Sequence, residues 1–207
     1  MKQKTKKSIF TFVFLFLTTF FQNIEATTTK EVFAKYPNKY FIESGTCMGD
    51  GVNMALECGF DQIYSFELAN HLYNICCKRF AHSPNVHLIL GDTTKAMPQL
   101  LKEIDSPATF WLDGHYSWNN TARGDTNSPI LQELEIIQQH HIKNHTILVD
   151  DIRQCGTVEF DFIELDEIIQ KILEINPDYT ISFEDGYVPN DVLVAKIINK
   201  ELFDVKK

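Results

Sequence analysis

The residues able to do chemistry in this chain are acids that end or follow short apolar runs. Glu43, Glu67, Asp92, Asp113 and the pair Asp150 and Asp151 stand at or just past the ends of YFIE, QIYSFE, VHLIL, ATFWLD and TILVDD. After the first run comes a turn with glycines at positions 45, 49 and 51, within YFIESGTCMGDG (40–51). Glycine lets a backbone turn sharply and approach a ligand where a Cβ would collide, and a helix beginning there presents unpaired N–H groups. Carboxylates accept hydrogen bonds from ligand hydroxyls and coordinate hard cations. His115, two residues past Asp113, adds a group that exchanges a proton near neutral pH and is the candidate general base. Taken singly, the glycine turn also fits an ordinary strand-to-helix connection, and His115 a turn residue facing water.

The elements that position these residues alternate. Strands are expected at 40–43, 62–67, 86–90, 108–113 and 146–151. Helices are expected at 52–58, closed by Gly59, at 70–80, from Thr94 onward, from a Ser128 cap with Pro129 in the first turn, and at 162–175. The apolar positions of these helices recur at helical spacing, as in 165, 168, 169, 172 and 173. Residues 27–39 read as a polar link, and the runs at 179–184 and 191–198 as a closing antiparallel pair. This order predicts an α/β fold, a doubly wound, mostly parallel seven-stranded sheet with a reversed C-terminal hairpin. Ligands of such sheets gather at the carboxyl ends of the strands, where the acids lie.

A chain of 207 residues, 44% hydrophobic and 23% charged, fits one domain. A net charge of −9 argues against a general nucleic-acid binder, which needs a basic face, and leaves a small-molecule substrate as the expected partner. Residues 1–26 read separately from the domain at 27–207. Lys2, Lys4, Lys6 and Lys7 precede an apolar and hydroxylic run at 8–21, then polar residues and Ala26, the layout of a signal peptide or an N-terminal membrane anchor. The expected location is therefore exported or membrane-anchored, with the membrane met only through this segment, or cytoplasmic if the segment is not used. The five cysteines show no metal-finger spacing, and adjacent Cys76 and Cys77 are poor partners for each other, so no disulfide framework is expected.

Over roughly residues 38–200 the chain resembles class I S-adenosylmethionine-dependent methyltransferases, and among them most the macrocin O-methyltransferase type. IESGTCMGDG (42–51) is similar to that group's acidic-x-Gly-x-x-x-Gly turn, and WLDGHYS (111–117) and LVDDI (148–152) to its two acidic strand ends. Cys47 stands where the commoner form of the turn has glycine. The resemblance implies that Glu43, Gly45, Thr46 and Gly49 form the turn around the methionine portion of S-adenosylmethionine, that Glu67 accepts hydrogen bonds from both ribose hydroxyls, and that Asp92 lies near the adenine. It implies further that Asp113, Asp150 and Asp151 hold Mg²⁺, with Asp113 and His115 at the reacting hydroxyl of a small, sugar-like acceptor.

An acid ending the second strand also serves dinucleotide-binding folds, but the final hairpin and the lack of a second domain favour the methyl donor. Arg153 fits either an acidic substrate group or an aspartate partner, and Tyr116 and Trp118 either an acceptor pocket or packing anchors. The loop at 117–127 is long enough for a lid or an acceptor-recognition segment. A non-methylating binding module with the same acidic cleft, and a metal-using enzyme of the cephalosporin hydroxylase type, are the competing expectations.

Overall fold

The computed structural model describes residues 30–118 and 121–198, so the leader expected at 1–26 lies outside the described residues. Alternation of apolar side chains along each strand divides the interior in two. Phe41, Ile63, Trp111, Leu148, Val192 and Val194 face one layer, and Tyr40, Ile42, Phe66, Phe110, Leu112, Ile147, Val149, Leu193 and Ala195 face the other. Both faces must then be covered, which is why the strands read as nearly continuous apolar runs.

The strands are β1 (Tyr40–Ser44), β2 (Gln62–Glu67), β3 (Val86–Leu90), β4 (Ala108–Leu112), β5 (Thr146–Val149), β6 (Tyr179–Glu184) and β7 (Val192–Ile197). They form one sheet in the order β3-β2-β1-β4-β5-β7-β6, with β7 antiparallel to both neighbours and every other pairing parallel. The chain leaves β1 toward β2 on one side and later returns to β4 on the other. A crevice therefore opens between the carboxyl ends of β1 and β4. Helices α1 (Lys30–Ala34), α2 (Asp50–Cys58) and α3 (Asn70–Arg79) cover the first face, and α4 (Thr93–Leu100), α5 (Ile130–Gln139) and α6 (Leu165–Ile175) the second. The doubly wound sheet with its reversed hairpin is as the sequence predicts. Among the described residues no helix is long and apolar enough to cross a membrane.

Three expectations need correction. The link before β1 is not merely polar: α1 buries Val32 and Phe33, and Phe33 packs on Phe41 and Trp111 at ring distances of 4.9 and 5.0 Å. Helix α5 starts one residue later than expected, with Pro129 rather than Ser128 at the cap, because the backbone N–H of Ser128 is held by Asp161 Oδ2 at 3.0 Å. Helix α6 starts at Leu165 and not at 162, since Asp161 and Phe162 adopt left-handed backbone angles that end a short 3-10 turn at Val158–Phe160. The predicted inward face of α6 is otherwise observed, with Ile168 and Ile172 fully buried, though Leu173 is exposed and Ile175 takes the last core position. All five cysteines are free.

At the edge opposite the crevice, buried His145 accepts the Ala108 N–H at Nδ1 (3.0 Å), and its Nε2 meets His140 Nδ1 at 2.9 Å. The first contact requires a bare Nδ1, so the ring is neutral. Burial, aided by positive charge from His140, His141 and Lys143, pushes its pKa down to about 3. His140 is lowered too, by burial first and then by His141. The unfolded chain protonates these rings near pH ~6.5, so below that pH it binds more protons than the folded chain and stability falls. The expected loss from His145 is about 1.4 kcal/mol per pH unit as pH drops from ~6.5 toward 4.5. Urea unfolding across that window measures it. His145→Gln should be less stable at neutral pH but show a shallower decline, and an unchanged slope would rule His145 out as the source.

Candidate active site

The floor of the crevice is the turn after β1. Gly45 has φ 85°, and a Cβ on it would lie 2.4 Å from the backbone carbonyl oxygen of Asp113, so only glycine lets β1 and the end of β4 approach this closely. The Gly45 and Thr46 N–H groups both donate to the Phe66 carbonyl at 3.0 Å, which ties the turn to β2. Thr46 Oγ1 contacts Ser65 Oγ at 2.6 Å, and Ser65 in turn donates to Glu43. Glu43 is 2% exposed, and burial raises its pKa well above the ordinary carboxylate value. Its Oε1 occupies the space a Cβ on Gly51 would need, so Gly51 is the residue that lets α2 start over this acid. Gly49, also at φ 85°, faces Cys76 of α3 and Phe80 just past its end, and serves packing.

Glu67 forms the second wall. Its two oxygens accept the N–H groups of Cys47 (2.8 Å) and Ala69 (2.7 Å), so the carboxylate is fixed in place and still has acceptor capacity for a ligand. Burial raises its pKa, opposed by these backbone donors. Cys47 sits at φ 48°, where the turn needs a left-handed residue. Its backbone N–H, not its thiol, is the functional group. Asp92 caps α4 by accepting from Thr94 N (2.9 Å) and Oγ1 (2.6 Å) and pairs with Lys95 at 3.2 Å. Partial burial raises its pKa, but these donors outweigh that and leave it lowered.

The third wall concentrates the remaining charge. His115 lies between two aspartates, with Nδ1 3.5 Å from Asp113 Oδ1 and Nε2 3.3 Å from Asp151 Oδ2 and 3.1 Å from Ser117 Oγ. Nδ1 is buried without a hydrogen-bond partner, 3.5 Å from Asp113 Oδ1, so the two attract as charges only once the ring is protonated. Burial alone would lower the His115 pKa, but Asp113 and Asp151 prevail and raise it. Arg153 pairs through one nitrogen with both Asp151 and Asp191, and its guanidinium lies 5.0 Å from the centre of the Tyr187 ring. Asp150 accepts the Asp151 N–H at Oδ1 (2.8 Å), while its Oδ2 is buried with no partner. Burial, then Asp113, Asp151 and Asp191, push the Asp150 pKa far upward.

These walls enclose a cavity of about 550 Å³, a size suited to a nucleoside-containing ligand with a small co-substrate. Gly45, Thr46, Glu67, Asp92, Asp113, His115, Asp151 and buried Glu43 line it, whereas Gly49 and Asp150 stand behind the lining. Tyr116 and Trp118, 5.2 Å apart, also line it, together with the described part of the 117–127 loop. Asp113, Asp150 and Asp151 do not converge as one set. Oxygen or nitrogen atoms of Asp113, His115 and Asp151 come within 4.8 Å of one another, and those of Asp150, Asp151 and Asp191 form a second group on the same criterion, sharing Asp151. The partnerless Asp150 Oδ2 beside other carboxylates is a donor that a hard divalent cation fits.

The sequence reading missed two buried acids. Asp191, 1% exposed, receives the Arg153 backbone N–H at 3.0 Å as well as its side chain. It immediately precedes β7, and because β7 runs antiparallel its start, not its end, lies at the crevice. Glu133 sits on the inward face of α5 among Ile130, Leu134 and Ile137, a break in the apolar spacing that marks it in the sequence. It accepts from Thr93 Oγ1 at 2.6 Å, and burial raises its pKa to about 7.

No protein-family model matches the chain, and neither does any curated protein sequence. Solved structures do match. A proposed caffeoyl-CoA O-methyltransferase from Staphylococcus aureus aligns over 82% of this chain and 80% of its own, at 12% identity and a TM-score of 0.54. A proposed rRNA methylase from Clostridium thermocellum covers 82% of this chain and 95% of its own, at 15% identity and 0.52. A proposed methyltransferase from Streptococcus mutans in complex with SAH covers 81% and 95%, at 14% identity and 0.52. The chain therefore has the Rossmann-like fold of the methyltransferases, closed by their antiparallel strand pair.

Proposed function

We propose that this protein is an S-adenosylmethionine-dependent methyltransferase that methylates a hydroxyl of a small, sugar-like acceptor. The observation that carries the reading is the single cavity in which a backbone-fixed carboxylate, Glu67, faces the Asp113–His115–Asp151 cluster across the Gly45 turn. Glu67 supplies the acceptor atoms that two ribose hydroxyls need. The tight turn at Gly45 seats the methionine part, and Asp92 and the partly exposed Leu68 flank the base. The likeness of residues 42–51, 111–117 and 148–152 to the macrocin type supports oxygen as the methylated atom.

The acceptor hydroxyl meets Asp113, whose side chain is more open than that of His115, at 27% against 7% exposed. Its proton passes toward the unpartnered Nδ1 of His115, while Asp151 and Ser117 hold Nε2. S-adenosylmethionine, when bound on the Gly45 turn, would supply the electrophilic methyl carbon for that oxygen and would leave as the thioether. Asp151, which belongs to both groups of converging ligand atoms, would hold Mg²⁺ together with Asp113 or with Asp150, and the ion when bound would lower the pKa of a hydroxyl beside it. Tyr116 and Trp118 offer flat apolar faces to the acceptor.

Isothermal titration of S-adenosylhomocysteine should give saturable binding. No heat, with or without Mg²⁺, would overturn the methyltransferase reading and favour a binding module of the same fold. Glu67→Gln should weaken that binding about tenfold, the scale of a charge-assisted hydrogen bond, and unchanged affinity would remove Glu67 from the ribose site. His115→Gln should leave S-adenosylhomocysteine affinity intact and cut turnover by about 100-fold or more, the usual contribution of a positioned base. Turnover is read as S-adenosylhomocysteine formed with the best acceptor from a panel of sugar, polyol and phenolic hydroxyls. Parental turnover in the variant would exclude His115 as the proton acceptor.

A further inference from the structure

Arg153 sits where no role for it follows from the proposed reaction. It lines the cavity, its side chain is partly buried, and one of its terminal nitrogens reaches both Asp151 and Asp191. Asp191 holds it twice, through the side chain and through the Arg153 backbone N–H, while the Ile152 N–H donates to the Asp191 carbonyl at 3.1 Å. Asp151 has no comparable backbone hold on it. Arg153 is thus anchored on Asp191 and leans onto Asp151, with the exposed Tyr187 ring against its outer face.

Asp151 is also the residue shared by the two groups of potential metal-binding atoms, and Asp150 beside it has a buried oxygen without a partner. A guanidinium and a divalent cation both seek the Asp151 carboxylate, and placing both there brings like charges together at low dielectric. We propose that Arg153 is a built-in competitor of the divalent cation for Asp151, so that the cation enters only as the guanidinium withdraws from Asp151 while staying on Asp191. This rests on the metal-assisted reading above and adds that Arg153 sets the affinity and selectivity of that site. When the site is empty of metal, Arg153 keeps the acids from repelling one another. Tyr187 gives the withdrawn guanidinium an aromatic face on the cavity side.

The test is titration of MnCl₂ into the purified protein, followed by calorimetry and by loss of the free Mn²⁺ electron paramagnetic resonance signal. Neither needs turnover. Arg153→Met should bind Mn²⁺ about tenfold more tightly than the parent, because the competing charge is gone. Arg153→Lys keeps a cation inside the fold but on a shorter, more strongly hydrated side chain, and should bind about threefold more tightly. It carries the test if circular dichroism shows that the methionine variant does not fold. Binding by the parent that is unchanged or weakened in the folded variants overturns the competition and leaves the metal-assisted reading standing. No Mn²⁺ binding by the parent or any folded variant overturns both. Binding that appears only in a variant supports the competition in its strongest form.

Discussion

Crowding Asp113, Asp150, Asp151 and Asp191 at one edge of the sheet is the constraint around which the site is arranged. Taking carboxylates out of water costs several kcal/mol each unless opposite charge or hydrogen bonds compensate. Here the compensation is local and uneven. His115 lies between Asp113 and Asp151, Arg153 joins Asp151 to Asp191, and Asp150 is left with one oxygen satisfied and one not. Electrostatics this unbalanced, in a cavity, is how sites that bind charged ligands or move protons are distinguished from structural ion pairs.

The backbone explains why these groups meet. Parallel strands β1 to β5 deliver the acids at their carboxyl ends to one edge, and the antiparallel β7 brings Asp191, the residue before it, to the same edge. Left-handed backbone at Asp151 then turns the chain away from β5 into a short 3-10 turn, which places Arg153 back over the acids. Asp161 performs a similar service at a distance, accepting the N–H groups of Asn127 (2.7 Å) and Ser128 (3.0 Å) and so fixing the end of the loop that covers the cavity.

What the sequence made legible follows the same physics. Strand positions and acids at strand ends were readable because burial on two faces imposes apolar runs, and a polar residue that ends such a run has few other uses. The glycine turn was readable as a turn, but its glycines do different things. Gly45 admits the Asp113 carbonyl, Gly51 admits Glu43, and Gly49 admits the Phe80 ring, and nothing in the spacing separates those roles because each depends on a partner distant in sequence. The division of the aspartates into two groups was equally out of reach, since it depends on which way Asp150 and the left-handed Asp151 point. Glu133 and Asp191 left signals, one breaking a helical apolar face and the other opening an antiparallel strand, and recognising them requires knowing which strand direction presents its start to the crevice.

The two halves of the cavity meet where Gly45 approaches the Asp113 carbonyl closely enough to exclude a Cβ. On one side of it lies the turn bonded to β2 through Phe66 and to Glu67 through Cys47. On the other lies Asp113, whose N–H donates to the Ser44 carbonyl and side chain, both at 3.2 Å, and whose carboxylate faces His115. In the proposed reaction, a donor on the turn and an acceptor on the acids would be positioned by neighbouring strands β1 and β4, paired from Tyr40 with Ala108 to Ser44 with Leu112. For a displacement that requires nucleophile, carbon and leaving group in line, that rigid pairing contributes alignment without any moving part. The 117–127 loop and the β6–β7 connection carry Trp118 and Tyr187, at 55% and 70% exposed, to the lining of the same cavity.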